Sequence, residues 1–270
     1  MKRIFLFFFF FFKVLTEAFS EEIYSDFHRK HGLSWPLDAQ QVFAWFLTAA
    51  PMIMFWCFVH PCTEVHCSYF FSIPFCIIYI IGIILFVFVT LETHPYSIKL
   101  TREQSHFCKY CNAFVPNNSK HCKECNKCRV GFDHHCPFIN NCVTTCNYNM
   151  FYYGILCFIS SGLMSCCAIG IISKNYKLYK NVYMEKLSKY YSANITKTKF
   201  WILYGITLII DLALTVPLGI LIAYHIYFQA NNITTYDHII KAQEKYPEKL
   251  QKFCCACDKR SRILSMVNDE

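Results

Sequence analysis

The chain has 270 residues, 55% of them hydrophobic, with mean hydropathy +0.27 and formal net charge +8. That composition is too apolar for an ordinary soluble domain and points to several membrane spans. No basic stripe with interleaved aromatics is present, so nucleic acid is not among the expected partners, and the positive charge fits basic loops beside a lipid bilayer.

Residues 1–12 read MKRIFLFFFFFF. Lys2 and Arg3 followed by an apolar run have the form of a signal-peptide start, but Thr16-Glu17-Ala18 is a poor cleavage site. The run is too short to cross a hydrocarbon core ~30 Å thick, which takes about 20 residues. We read residues 1–41 as an N-terminal cytosolic segment opening on a low-complexity tail or shallow anchor. Trp35-Pro36 near its end fits an interfacial aromatic.

Four apolar stretches follow, at 42–59, 68–91, about 151–173 and about 200–228. The segments are therefore 42–91 with spans 1 and 2, loop 92–150, 151–228 with spans 3 and 4, and a cytosolic tail 229–270. Loop 60–67 has no Lys or Arg, which argues for the non-cytosolic side. Cys62 and Cys67 there are a candidate disulfide or two free thiols. Loop 174–199 dissents with seven lysines on the same expected side, where Asn194-Ile195-Thr196 is a glycosylation sequon. Asp211 in the fourth span is ionisable at depth and so a functional candidate, or else the acceptor of an interhelical hydrogen bond from Ser, Thr or Tyr. Ser160-Ser161-Gly162 in the third span allows close helix packing. Cys254, Cys255 and Cys257 beside Lys259, Arg260 and Arg262 are candidate S-acylation sites.

The chemistry concentrates in residues 108–151, CKYCNAFVPNNSKHCKECNKCRVGFDHHCPFINNCVTTCNYNMF. The eight cysteines there and His121, His134 and His135 exceed what any core requires, and supply ligands for two tetrahedral zinc sites. Two Cys3His sites would use six cysteines and two histidines. Cys136, Cys146 and one histidine then remain, and a leftover cysteine and histidine beside an aspartate have the pattern of a nucleophile, its base and the base's orienter. The alternative is that every residue is structural and Cys136 is a spare ligand. With little apolar content in the loop, metal would provide its core.

The spacing C-x2-C-x9-H-C-x2-C-x2-C-x4-D-H-H-C-x5-C-x4-N-x3-F resembles the cysteine-rich domain of the DHHC protein S-acyltransferases, or palmitoyltransferases. It runs here from Cys108 to Phe151, about a sixth of the chain. The resemblance implies an all-α polytopic membrane protein, with four transmembrane helices and a cytosolic, zinc-stabilised cysteine-rich domain between helices 2 and 3. It implies one structural zinc on Cys108, Cys111, His121 and Cys128, and a second on Cys122, Cys125, His135 and Cys142. Cys136 would carry the acyl group, His134 would take the thiol proton and Asp133 would hold His134. The co-substrate would be a long-chain acyl-CoA such as palmitoyl-CoA. The partners would be membrane-associated client proteins with cytosolic cysteines. The active site would face the cytosol from the ER, Golgi or plasma membrane.

Four departures from the family pattern stand out. Phe138 replaces the usual Trp, Thr144 the usual Gly and Asp237 the Glu of Thr-Thr-x-Glu. Glu92-Thr93-His94-Pro95 lies where Asp-Pro-Gly is usual. In the family the Thr-Thr-x-Glu motif ties the cysteine-rich domain to the membrane, and Asp237 has one methylene less reach. Two other function classes compete with this one. A non-catalytic zinc-containing membrane adaptor has no need of Asp133, His134 and Cys136 together. A transporter with a regulatory zinc loop would rest on Asp211 alone.

Overall fold

The computed structural model describes residues 28–63, 68–93 and 102–245. The N-terminal poly-Phe run, Cys67, His94-Pro95 and Cys254 to Cys257 lie outside them. The chain divides into two units, Met1–Tyr224 and His225–Glu270.

Among the described residues, four helical runs are long and apolar enough to cross a membrane: Ala39–Thr63, Phe70–Leu91, Tyr148–Tyr191 and Lys197–Ala230. The first comprises α1 (Ala39–Met54), a π-helical turn (Phe55–Val59) and α2 (His60–Thr63). Asp38 caps α1 by accepting from the Gln40 backbone N–H at 2.7 Å. In the π turn the carbonyls of Cys57 and Phe58 accept from Tyr191 at 2.5 Å and Tyr204 at 2.8 Å. The second run is part of α3 (Ser68–Leu91), and the last two are α4 (Tyr148–Tyr191) and α5 (Lys197–Ala230).

α4 runs well past the expected third span. Its 44 residues reach about 66 Å at 1.5 Å per residue, more than twice the hydrocarbon thickness. The lysine-rich stretch expected to be a loop is therefore helical as far as Tyr191. Tyr176, Tyr183 and Leu187 line one face and are buried with Phe55, Phe200 and Tyr204. The lysines at 174, 177, 180 and 189 are exposed. Ser192, in the left-handed region, ends the helix.

One buried polar pair joins α4 to α5. Ser165 on α4 donates to Asp211 on α5 at 2.6 Å, both fully buried, which is the interhelical bond expected of Asp211. α4 and α5 approach closely at Gly162, where an added Cβ would stand 2.1 Å from Thr215 Oγ1.

Residues 105–144 form three antiparallel hairpins: β1 (Ser105–Cys108) with β2 (Ala113–Pro116), β3 (Ser119–Cys122) with β4 (Lys127–Val130), and β5 (Phe132–Cys136) with β6 (Asn141–Thr144). The all-α expectation thus holds for the helical part and not here. The reason is the turn chemistry. Each hairpin turns through the same five-residue knuckle: Cys108-Lys-Tyr-Cys111-Asn112, Cys122-Lys-Glu-Cys125-Asn126 and Cys136-Pro-Phe-Ile139-Asn140. Each asparagine takes the left-handed conformation, φ 47°, 48° and 52°, which asparagine tolerates best after glycine.

In the C-terminal unit Asn232, also left-handed, turns the chain into α6 (Thr235–Lys245). Thr234 Oγ1 accepts from the Asp237 N–H at 3.0 Å and donates to Asp237 Oδ2 at 2.7 Å. Asp237 Oδ2 also accepts from the Thr234 backbone N–H at 3.3 Å, so Asp237 is long enough for a reciprocal capping box at the start of α6.

Candidate active site

Strand alternation sorts the ligands. Successive residues of a strand point to opposite faces, so adjacent His121 and Cys122 on β3 cannot serve one centre. His121 pairs across the hairpin with Cys128 and joins Cys108 and Cys111 of the first knuckle. Cys122 joins Cys125 and the cross-strand pair His135 and Cys142 of the third hairpin. Each quartet is one knuckle closed by a His–Cys pair from the next hairpin. These are the two ligand sets that the family resemblance implied.

The geometry fits a tetrahedral ion. In the first quartet Nδ1 of His121 lies 3.8, 3.3 and 3.8 Å from the sulfurs of Cys108, Cys111 and Cys128. In the second, Nδ1 of His135 lies 3.7 and 3.4 Å from Cys122 and Cys125, and the Cys142 and Cys125 sulfurs are 3.5 Å apart. A zinc ion with ordinary bond lengths has ligand–ligand edges of about 3.5–3.8 Å. Both clusters can therefore hold a metal ion, and zinc suits three thiolates with one imidazole. Bound there, it would cross-link neighbouring hairpins and leave no open position for water.

The third knuckle has no such partner. Ile139 stands where the other two have their second cysteine, and Cys136 belongs to neither quartet. Cys136 is instead buried in an apolar cluster with Ile139, Val143, Val89 of α3 and Phe151 and Ile155 of α4.

On β5 the same alternation separates His135, which faces the metal quartet, from His134 and Cys136. A bulge between Phe132 and His134 leaves Asp133 outside the pairing, which frees its side chain from the strict alternation. Nδ1 of His134 donates to Asp133 Oδ2 at 2.6 Å, while Cys136 hydrogen-bonds the same imidazole. Burial lowers the His134 pKa, but the bonds to Asp133 and Cys136 outweigh it and push it up to about 9. Phe151 braces the ring edge-on at 5.4 Å. An imidazole so held can take a proton from the thiol beside it. Asp133→Asn keeps the shape and removes the charge. It is expected to slow any reaction that runs through the Cys136 thiolate by about 10²- to 10⁴-fold, read as a single-turnover rate with metal content unchanged.

The site is tied to the helices by Asn141, which the spacing pattern did not mark, and by Asn147, which it did. Asn141 Nδ2 donates to the carbonyls of Val89 at 3.0 Å, Thr90 at 3.2 Å and Glu92 at 2.9 Å, filling acceptors left open at the end of α3. Asn147 Oδ1 accepts from the Thr144 N–H at 2.8 Å, and its Nδ2 donates to Cys142 O at 3.1 Å and to Glu92 Oε2. Glu92, at the position of the usual Asp-Pro-Gly, also faces Arg129 at 3.8 Å. Thr144 lies in β6 and needs no positive φ. Phe138 packs on the apolar cluster under Cys136.

The model of the family described as DHHC palmitoyltransferase matches residues 101–242, just over half of the chain. A comparison with curated proteins finds no match.

Proposed function

The chain belongs to the DHHC palmitoyltransferase family, and on that premise we propose that it moves a long-chain acyl group from acyl-CoA to client cysteines through an acyl-Cys136 intermediate. Family membership supports palmitoyltransferase activity, and the four apolar helical runs are consistent with a polytopic membrane protein. Asp133, His134 and Cys136 are the catalytic residues in this reading, and the two quartets hold structural zinc. The cysteine-rich domain faces the cytosol, where acyl-CoA and reduced thiols are found.

One observation carries the reading. Cys136 is the knuckle cysteine outside both metal quartets, and it shares an imidazole with Asp133. In the first step His134 takes the Cys136 proton and the thiolate sulfur attacks the thioester carbon of acyl-CoA. The carbon–sulfur bond to CoA breaks, and the leaving thiolate takes the proton from His134. In the second step a client thiol gives its proton to His134 and attacks acyl-Cys136, restoring the free cysteine. The acyl chain would lie among the buried apolar side chains around Cys136.

Double displacement makes a sharp kinetic forecast. Purified protein mixed with acyl-CoA and no client should release a burst of one CoA per active chain. A cysteinyl peptide added later should then take the label from the protein. CoA release that requires the peptide from the start would contradict the acyl-enzyme step.

A further inference from the structure

The segment before the first span crosses both the second and third knuckles. The Arg29 N–H donates to Cys125 O at 3.0 Å, inside the second metal quartet. His28 Nδ1 donates to Asn126 O at 2.5 Å. Three residues on, the Gly32 N–H donates to Thr90 O at 2.7 Å at the end of α3. Gly32 lies against the knuckle of Cys136 so closely that an added Cβ would stand 2.1 Å from Ile139 O. Only a residue without a side chain passes there.

Gln41, in the first turn of α1, closes the loop. It is fully buried. Its Nε2 donates to Gly32 O at 2.9 Å and to Ile139 O at 3.4 Å, and its Oε1 accepts from Asn140 Nδ2 at 3.3 Å. Ile139 and Asn140 are the two knuckle residues where hairpins one and two have a metal-ligating cysteine and its asparagine. An amide buried this fully is costly unless its bonds are made. The knuckle that lacks a metal is thus held by a side-chain amide at the place where the others are held by metal.

We infer that Gln41 is a positioning residue for Cys136, and that residues 28–41 are part of the active-site scaffold. The segment links the second metal quartet to the nucleophile's knuckle and fixes Cys136 against His134. The inference rests on Cys136 being the acyl carrier. Removing the amide leaves the ligands of both quartets in place but lets the third knuckle shift, and a misplacement of about 1 Å at a reacting atom can cost on the order of 100-fold in rate.

The test uses the CoA burst of the full chain in detergent or nanodiscs, comparing wild type with Gln41→Met and Asn140→Gly. The first keeps the volume and loses the amide. The second keeps the left-handed turn and loses the bond to Gln41. The expected result is a full burst amplitude and two zinc ions per chain, with the burst rate constant down about 10- to 100-fold in both. Should Gln41→Met fail to fold, Asn140→Gly carries the test alone. A smaller amplitude at an unchanged rate constant would mean that Gln41 only stabilises the fold, and would overturn the inference. An unchanged burst in both variants would overturn it too. A wild type without any burst would instead refute the acyl-enzyme reading itself.

Discussion

Replacing Cys136 with serine removes the covalent acyl label and leaves two metal ions bound per chain. The expected loss in transfer is at least ~10³-fold, because the hydroxyl is a far weaker nucleophile than the thiolate it replaces. The fold tolerates the change for a geometric reason. Cys136 lies outside both quartets, and serine fits its place in the apolar cluster with Ile139, Val143 and Phe151. The measurement is hydroxylamine-sensitive label from labelled acyl-CoA, beside metal content on the same sample. Loss of metal in Cys136→Ser would make Cys136 a ligand and upset the division of the cysteines.

Cys122→Ser is expected to do the opposite: metal is lost first and activity follows. Cys122 is buried with Cys125, Cys142 and partly buried Phe132, and little other apolar material surrounds them. Small zinc modules draw on the order of 10 kcal/mol from each structural ion, so this cluster has no comparable substitute for it. The damage also spreads. The second quartet joins the second hairpin to His135 and Cys142 of the third, so its loss frees the hairpin that carries Cys136. Metal content should fall below two per chain, limited proteolysis should cut within residues 102–146, and the acyl label should vanish. Two metals with a normal label would show that Cys122 is not a ligand.

Much of this was legible in the sequence because metal ligation and membrane spanning impose spacing. The cysteine and histidine intervals mark a stretch with ligands for two metal sites, the family resemblance divides them into two quartets and Cys136, and four apolar runs mark the helices. The hairpins were harder to see, since strands of four or five residues are too short for a period-two pattern to stand out from the cysteine spacing. Their signal lay in the repeated asparagine after each knuckle. The length of α4 was hidden by its lysines. Tyr176, Tyr183 and Leu187, at intervals of seven and four, trace the inward face of a helix, but the exposed lysines between them gave the stretch the composition of a loop. Gln41 carried no local signal. Its partners Ile139 and Asn140 are 98 and 99 residues away, and one buried glutamine in a helix has no spacing to betray it. Asn141 is similar: it looks like a turn residue until the end of α3 arrives beside it.

The most direct test of the account is to locate the acyl group. Wild-type protein with two zinc ions per chain is exposed to palmitoyl-CoA without client, digested under conditions that preserve thioesters, and mapped by mass spectrometry. The account predicts one hydroxylamine-labile palmitoyl group on the peptide that contains Cys136, with the eight quartet residues unmodified. A palmitoyl group found only on other cysteines, such as Cys146 or Cys254, with Cys136 free, would contradict it.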